Sequence, residues 1–179
     1  MKNKETIEIR KQMAVMHDSM IDKLDKAMRS KEYVEASWLC YSIFEQRTTR
    51  MILKHIHKCP RQDRSKEKKN AGIRTRIDCI LRLSKQEYGA YKYMNGNVFR
   101  KVKKWCDERN KLVHSLLDLD SYQKYDKTFK KLAEEGYSLV PQVYHEATII
   151  RDWCLQNSFT KFPDLRCQCK NQQCIHKEE

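Results

Sequence analysis

Apolar residues recur along this chain at intervals of three and four, the period of an amphipathic helix. Ile9, Met13, Met16, Met20 and Leu24 form one stripe within residues 4–28. Three of those five are methionine, which suits either an adaptable packing surface or ordinary core filling. Residues 31–58 hold no Gly or Pro and place Val34, Trp38, Leu39, Ile43, Phe44, Met51, Ile52 and Ile56 on a second, longer stripe. Ser30 is its expected N-cap and Pro60 its stop. The run PRQDRSKEKKN (60–70) is polar and aperiodic, and reads as an exposed loop. A third helix is predicted over 72–86 on Ile73, Ile77, Ile80 and Leu81. The Tyr- and Gly-containing stretch 88–97 follows as a connection. Asn97 is the expected cap of a fourth helix (98–117) lined by Val98, Val102, Trp105, Leu112, Val113 and Leu116. Residues 121–135, stopped by Gly136, and 141–157, with Pro141 in the first turn and Val143, Ala147, Ile150 and Cys154 on the stripe, complete the set. The pattern predicts an all-α domain over 1–158, a bundle of six helices, with a Cys/His-rich tail at 159–179.

Composition narrows the class further. Four Gly and three Pro in 179 residues are too few for the turns of a β-sandwich or barrel. Mean hydropathy is −0.87, and no apolar run reaches the length of a membrane span, so no membrane partner is expected. The N-terminal run MKNKETIEIRKQM lacks the apolar core of a secretory signal, and eight Cys without such a signal read as reduced thiols or metal ligands. A cytoplasmic location is the expectation.

The net charge of +13 is unevenly placed. Residues 47–82 carry twelve basic and three acidic groups, residues 97–114 carry six and two, and the rest balance at nineteen each. Concentrated positive charge attracts a polyanion and speeds its encounter, so a nucleic-acid partner, RNA, is expected. Arg47, Arg50, Lys54, Lys103, Lys104 and Lys111 are the expected phosphate contacts.

Within the fourth helix runs Arg109-Asn110-Lys111-Leu112-Val113-His114. Asn110 and His114 are four apart and share a face, whereas Arg109 lies about 140° round from His114 at 100° per residue. One helix cannot aim both groups at one atom; a second copy across a two-fold axis could. An imidazole can take the proton of a ribose 2′-OH or give one to a departing 5′-oxygen. A guanidinium can hold the phosphate bidentately and stabilise its developing charge. Asn can orient either. Attack by the 2′-OH needs no metal. Arg followed by His at such spacing occurs four times in the chain, with about one expected by chance, so spacing alone leaves open a histidine hydrogen-bonded at a helix seam. The rival pair Arg50 and His55, beside His57, reads as a basic helix end.

Two segments together carry a resemblance. EYVEASWLCYSIFEQRTTRMI (32–52), with Tyr33, Glu35, Ala36 and Glu45, followed by DERNKLVHSLL (107–117), with Arg109, Asn110 and His114, resembles the HEPN family of α-helical ribonucleases over roughly residues 20–157. The resemblance implies a homodimer whose paired Arg–His helices form a metal-independent ribonuclease site. It implies Arg109 and His114 as catalytic, Asn110 as their support and Glu45 as a further polar residue of the site. It also implies a role in defence or as a toxin, with an inhibitor or antitoxin as a partner. Leu116 stands where one toxin subfamily carries the Tyr that its antitoxin modifies. The alternative is a nucleic-acid-binding or regulatory protein of the same fold that does not cleave.

The tail presents Cys167, Cys169, Cys174 and His176 within ten residues, a ligand set suited to tetrahedral structural zinc. The order resembles the SWIM-type zinc finger with a much shorter central spacer. A frayed tail bearing solvent-exposed thiols is the other reading. Cys40, Cys79, Cys106 and Cys154 sit on helical stripes and are expected in the core. No cofactor is expected for catalysis.

Overall fold

The computed structural model describes residues 18–56, 72–85, 89–115 and 122–156. Every regular element among them is a helix: α1 (18–29), α2 (Tyr33–Ile56), α3 (Ile73–Lys85), a short 3-10 helix (Gly89–Tyr93), α4 (Gly96–His114) and α5 (Tyr122–Gln156). The all-α class is as expected. The stripe residues Ile9, Met13 and Met16, the run 60–70 and the zinc candidates of the tail lie outside the described residues. These residues sort into two compact units, with the divisions falling inside α2, α4 and α5.

The first unit comprises the described residues up to Ile43 together with Asp107–Ser138. Leu24 and Ala27 of α1, Ala36, Cys40 and Ile43 of α2, Leu112 of α4 and Phe129, Leu132 and Ala133 of α5 are all buried. Their spacings of three and four are the reason these segments are helical at all, since a lone helix of this length is marginal in water. The Tyr137 hydroxyl donates to Asp25 Oδ1 at 2.9 Å and ties α5 to α1. Bonding to that carboxylate, and then burial, raises the phenol above its ordinary pKa.

The turn between α1 and α2 overturns the expected cap. The Glu32 N–H donates to Ala27 O and the Lys31 N–H to Met28 O, with Lys31 at φ 60°. This pair of bonds with a left-handed residue is a Schellman closure, so Ser30 belongs to the end of α1 and does not cap α2. The signal is hidden because a lysine, not a glycine, holds the left-handed position. Lys31→Gly is expected to stabilise the protein by about 1 kcal/mol by relieving the contact between Cβ and the backbone. Thermal melts followed by far-UV circular dichroism should show Tm rising by about 2–4 °C.

The second unit comprises Phe44–Cys106 and the described residues from Leu139 on. Phe44 of α2 meets Trp105 of α4 edge to face, with ring centroids 5.2 Å apart at 88°. The Tyr91 hydroxyl donates to Met51 O at 3.0 Å, so the 3-10 helix is pinned beneath α2 by a buried bond. The Tyr-rich connection is therefore core, with Ala90, Tyr91 and Met94 buried. Where α3 and α4 touch, Asp78 faces Lys103 at 2.6 Å, and a Cβ on Gly96 would lie 3.6 Å from Leu81. Advancing along α3 thus means retreating along α4, and the two run antiparallel.

Two further expectations are corrected here. Helix α4 starts at Gly96, and its cap is Asn95, not Asn97: Asn95 Oδ1 accepts the Asn97 N–H at 3.0 Å. The buried carboxylate of Glu146 on α5 fixes this cap by accepting the Asn95 N–H at 2.9 Å. The fifth and sixth predicted helices are one, because α5 continues through both Gly136 and Pro141. Pro141 is exposed while Leu139, Val140 and Val143 around it are buried. Burial on both sides outweighs the weak local preference to stop.

Candidate functional site

Arg109 sits on the buried stripe of α4, three residues before Leu112 and only 5% exposed. A cation in such a position needs compensation. It comes from two aromatic rings of α2: the Arg109 guanidinium carbon lies 3.9 Å from the Trp38 centroid and 4.7 Å from the Tyr41 centroid. Trp38 and Tyr41 are three residues apart and share a helix face, so one helix supplies both rings. Such contacts contribute about 0.5–2 kcal/mol each, more as water is excluded. Arg109 Nη1 also donates to Asn110 Oδ1 at 3.3 Å. The guanidinium is thereby held in a fixed plane.

Trp38 lies on a stripe that predicts burial, yet it is 50% exposed and roofs Arg109 at the surface of the first unit. The signal available in the sequence is the aromatic pair at i and i+3 opposite an arginine on an otherwise apolar stripe. His114 closes α4 and is exposed. Five residues of helix put its Cα about 7.5 Å along the axis from that of Arg109, and the two side chains diverge by about 140°. The structure thus joins Arg109 to Asn110 and leaves the imidazole exposed at the end of α4. Lys111, in the same last turns, is exposed.

Glu45 belongs to the second unit, where its carboxylate accepts from Arg76 Nη2 at 2.7 Å. The pair is asymmetric: the Arg76 side chain is 5% exposed, that of Glu45 47%. The expected catalytic candidate is thus the counter-ion of a buried arginine. Glu45→Ala is expected to cost about 2 kcal/mol, because it strips this carboxylate from a buried cation. Urea denaturation should show the loss, with Glu45→Gln costing about half as much because an acceptor remains.

Of the cations expected to touch phosphate, Arg47 lies 3.9 Å from the Tyr144 ring centroid, and Lys103 is paired with Asp78. Arg50 is half-buried and Lys104 exposed. Lys54 falls within α2, but its side chain lies outside the described residues. So do Cys167, Cys169, Cys174 and His176. Among the described residues no three His, Cys, Asp or Glu side chains gather as a metal site. Cys40, Cys79 and Cys106 are buried as expected, and burial pushes the Cys40 thiol up to about 12. Cys40 therefore stays a protonated core thiol and no nucleophile. The Cys154 side chain is outside the described residues.

No family model matches the chain, and neither a curated protein nor a solved structure is detectably similar to it.

Proposed function

We propose that this chain is a metal-independent endoribonuclease of the HEPN kind, acting as a homodimer. The observation that supports this reading best is the preparation of α4: a guanidinium held against two rings, backed by Asn110, about one and a half turns from an exposed imidazole. In the proposed reaction the His114 imidazole of one copy takes the 2′-OH proton. The 2′-oxygen then attacks the adjacent phosphorus, and the P–O5′ bond breaks. The leaving 5′-oxygen receives its proton from the protonated His114 of the second copy. The products are a 2′,3′-cyclic phosphate and a 5′-hydroxyl. Arg109, carried to the same phosphate by the two-fold axis, offsets the charge that develops on it.

A second reading has its own observation. Arg109 is directed at Trp38, away from the face of His114, which suits a protein that binds RNA without cutting it. The two are separated by incubating purified full-length protein with single-stranded and structured RNA in EDTA. Cyclic-phosphate ends support the nuclease. Salt-sensitive binding with intact RNA supports the second reading.

A further inference from the structure

The charge of the described residues divides sharply between the two units. The first unit, which holds Arg109 and His114, has ten basic and ten acidic residues; the second has thirteen and four. Most of that excess lies on α3, the 3-10 helix and the first half of α4, where nine basic residues stand against a single acidic one, Asp78, already paired with Lys103. Ile73, Ile77, Ile80 and Leu83 turn inward on α3, leaving Arg74, Arg82 and Lys85 exposed. On α4, Val98, Phe99, Val102 and Trp105 turn inward, leaving Arg100, Lys101 and Lys104 exposed. Lys103 and Gly96 face α3, and at 100° per residue Arg100 and Lys104 flank that seam at about 60° and 100° round from Lys103, whereas Lys101 lies about 160° round.

This arrangement works against the stability of α4 itself. Its first turn has no acidic residue, and its next turn brings Arg100, Lys101, Lys103 and Lys104 toward the positive end of the helix dipole. Arg100 and Lys104 are a like-charged i,i+4 pair, which is itself unfavourable. A bound polyanion offsets both penalties. Tyr93, three residues before α4, is 57% exposed, with Lys92 Nζ 4.7 Å from its ring centroid. A large ring left in water beside a cationic ridge is the combination that holds single strands: the cations track the backbone and the ring stacks a base.

We infer that the exposed rows of α3 and α4, with Tyr93 at their edge, form a binding surface for the backbone of single-stranded nucleic acid. From Arg74 to Lys85 the ridge runs about 16 Å, room for a segment of about four nucleotides. The inference does not depend on cleavage, since none of these residues belongs to the Arg109–His114 site.

The test measures fluorescence anisotropy of a labelled single-stranded RNA, and of DNA of the same sequence, over a range of salt concentrations. Heparin serves as a polyanion without bases. All proteins are full-length and carry His114→Ala, so that the probe stays intact. Arg82→Glu/Arg100→Glu/Lys104→Glu is expected to weaken RNA binding at least thirtyfold. It should also flatten the slope of log K against log salt by about two, at about 0.7 for each phosphate of the single strand that is no longer neutralised. The milder Arg82→Gln/Arg100→Gln/Lys104→Gln should do the same in part, with unchanged circular dichroism. Tyr93→Ala should weaken RNA and DNA about tenfold and leave heparin unaffected. Unchanged affinity and slope in the folded triple variants would overturn the inference, as would a Tyr93→Ala effect that is absent or equal for heparin. Should this surface bind RNA while parental protein leaves RNA uncut, the cleavage proposal fails and this one stands.

Discussion

His114→Ala is expected to slow RNA cleavage in EDTA by about a thousandfold, with RNA affinity changed less than about twofold. The large effect follows from the role: removing a general acid–base group typically costs about 10²–10⁴ in rate, and in a two-fold site one substitution removes both the acid and the base. The small effect on binding follows from placement. His114 is exposed at the end of α4, in the unit whose basic and acidic residues balance. Its loss therefore removes neither a packed side chain nor much of the charge that attracts RNA. Single-turnover rates with end-labelled RNA give the first number and anisotropy the second. Arg109→Lys is the companion test. A lysine keeps the charge but cannot supply a planar group to lie against Trp38 and Tyr41 or to grip a phosphate bidentately. It should lose most of the rate, whereas a buried cation serving only to fill space against Trp38 would tolerate the change with modest loss of stability. Mixing His114→Ala protein with parental protein should lower cleavage more than dilution predicts, because a mixed dimer keeps only one of the two imidazoles of a shared site. Cleavage by His114→Ala at the parental rate would refute the assignment.

Trp105→Ala is expected to cost about 3–5 kcal/mol, enough to lower Tm by roughly 10 °C. The indole is almost wholly buried in the second unit and stands edge-on to Phe44, so truncation removes its apolar area and the ring pair and leaves a cavity that α2 and α4 cannot close without moving. Trp105→Phe keeps an aromatic ring and much of the volume, and should lose less than half as much. Chemical denaturation at fixed ionic strength separates the two. A loss under about 1 kcal/mol for the alanine variant would mean that this seam is not tightly packed.

Much of the architecture is legible in the sequence because burial is periodic. The stripes 73/77/80 and 98/102/105 predict α3 to within one residue at each end, and α4 to within two at its start and three at its end, and both rows are buried. Legibility fails where one local signal has two physical meanings. Gly136 and Pro141 ordinarily end a helix, yet α5 runs through both because flanking residues on each side are buried. Ser30 and Asn97 are good caps by type, but the neighbouring Lys31 and Asn95 carry the turn and the cap. Trp38 lies on an apolar stripe and reads only as core, since nothing local says that its neighbour across the helix pair is an arginine. Glu45 carries no local sign of its role, because its partner Arg76 lies 31 residues away.

Periodicity, charge and spacing belong to the chain alone, and they suffice for the helical class, the basic excess and the Arg-Asn…His spacing on one helix. Which of those groups are engaged was settled by tertiary packing. It stacked Arg109 under Trp38, paired Glu45 with Arg76 and Lys103 with Asp78, and brought α3 against α4. Each is a meeting of side chains across helices, set by how they fill space and neutralise one another after folding.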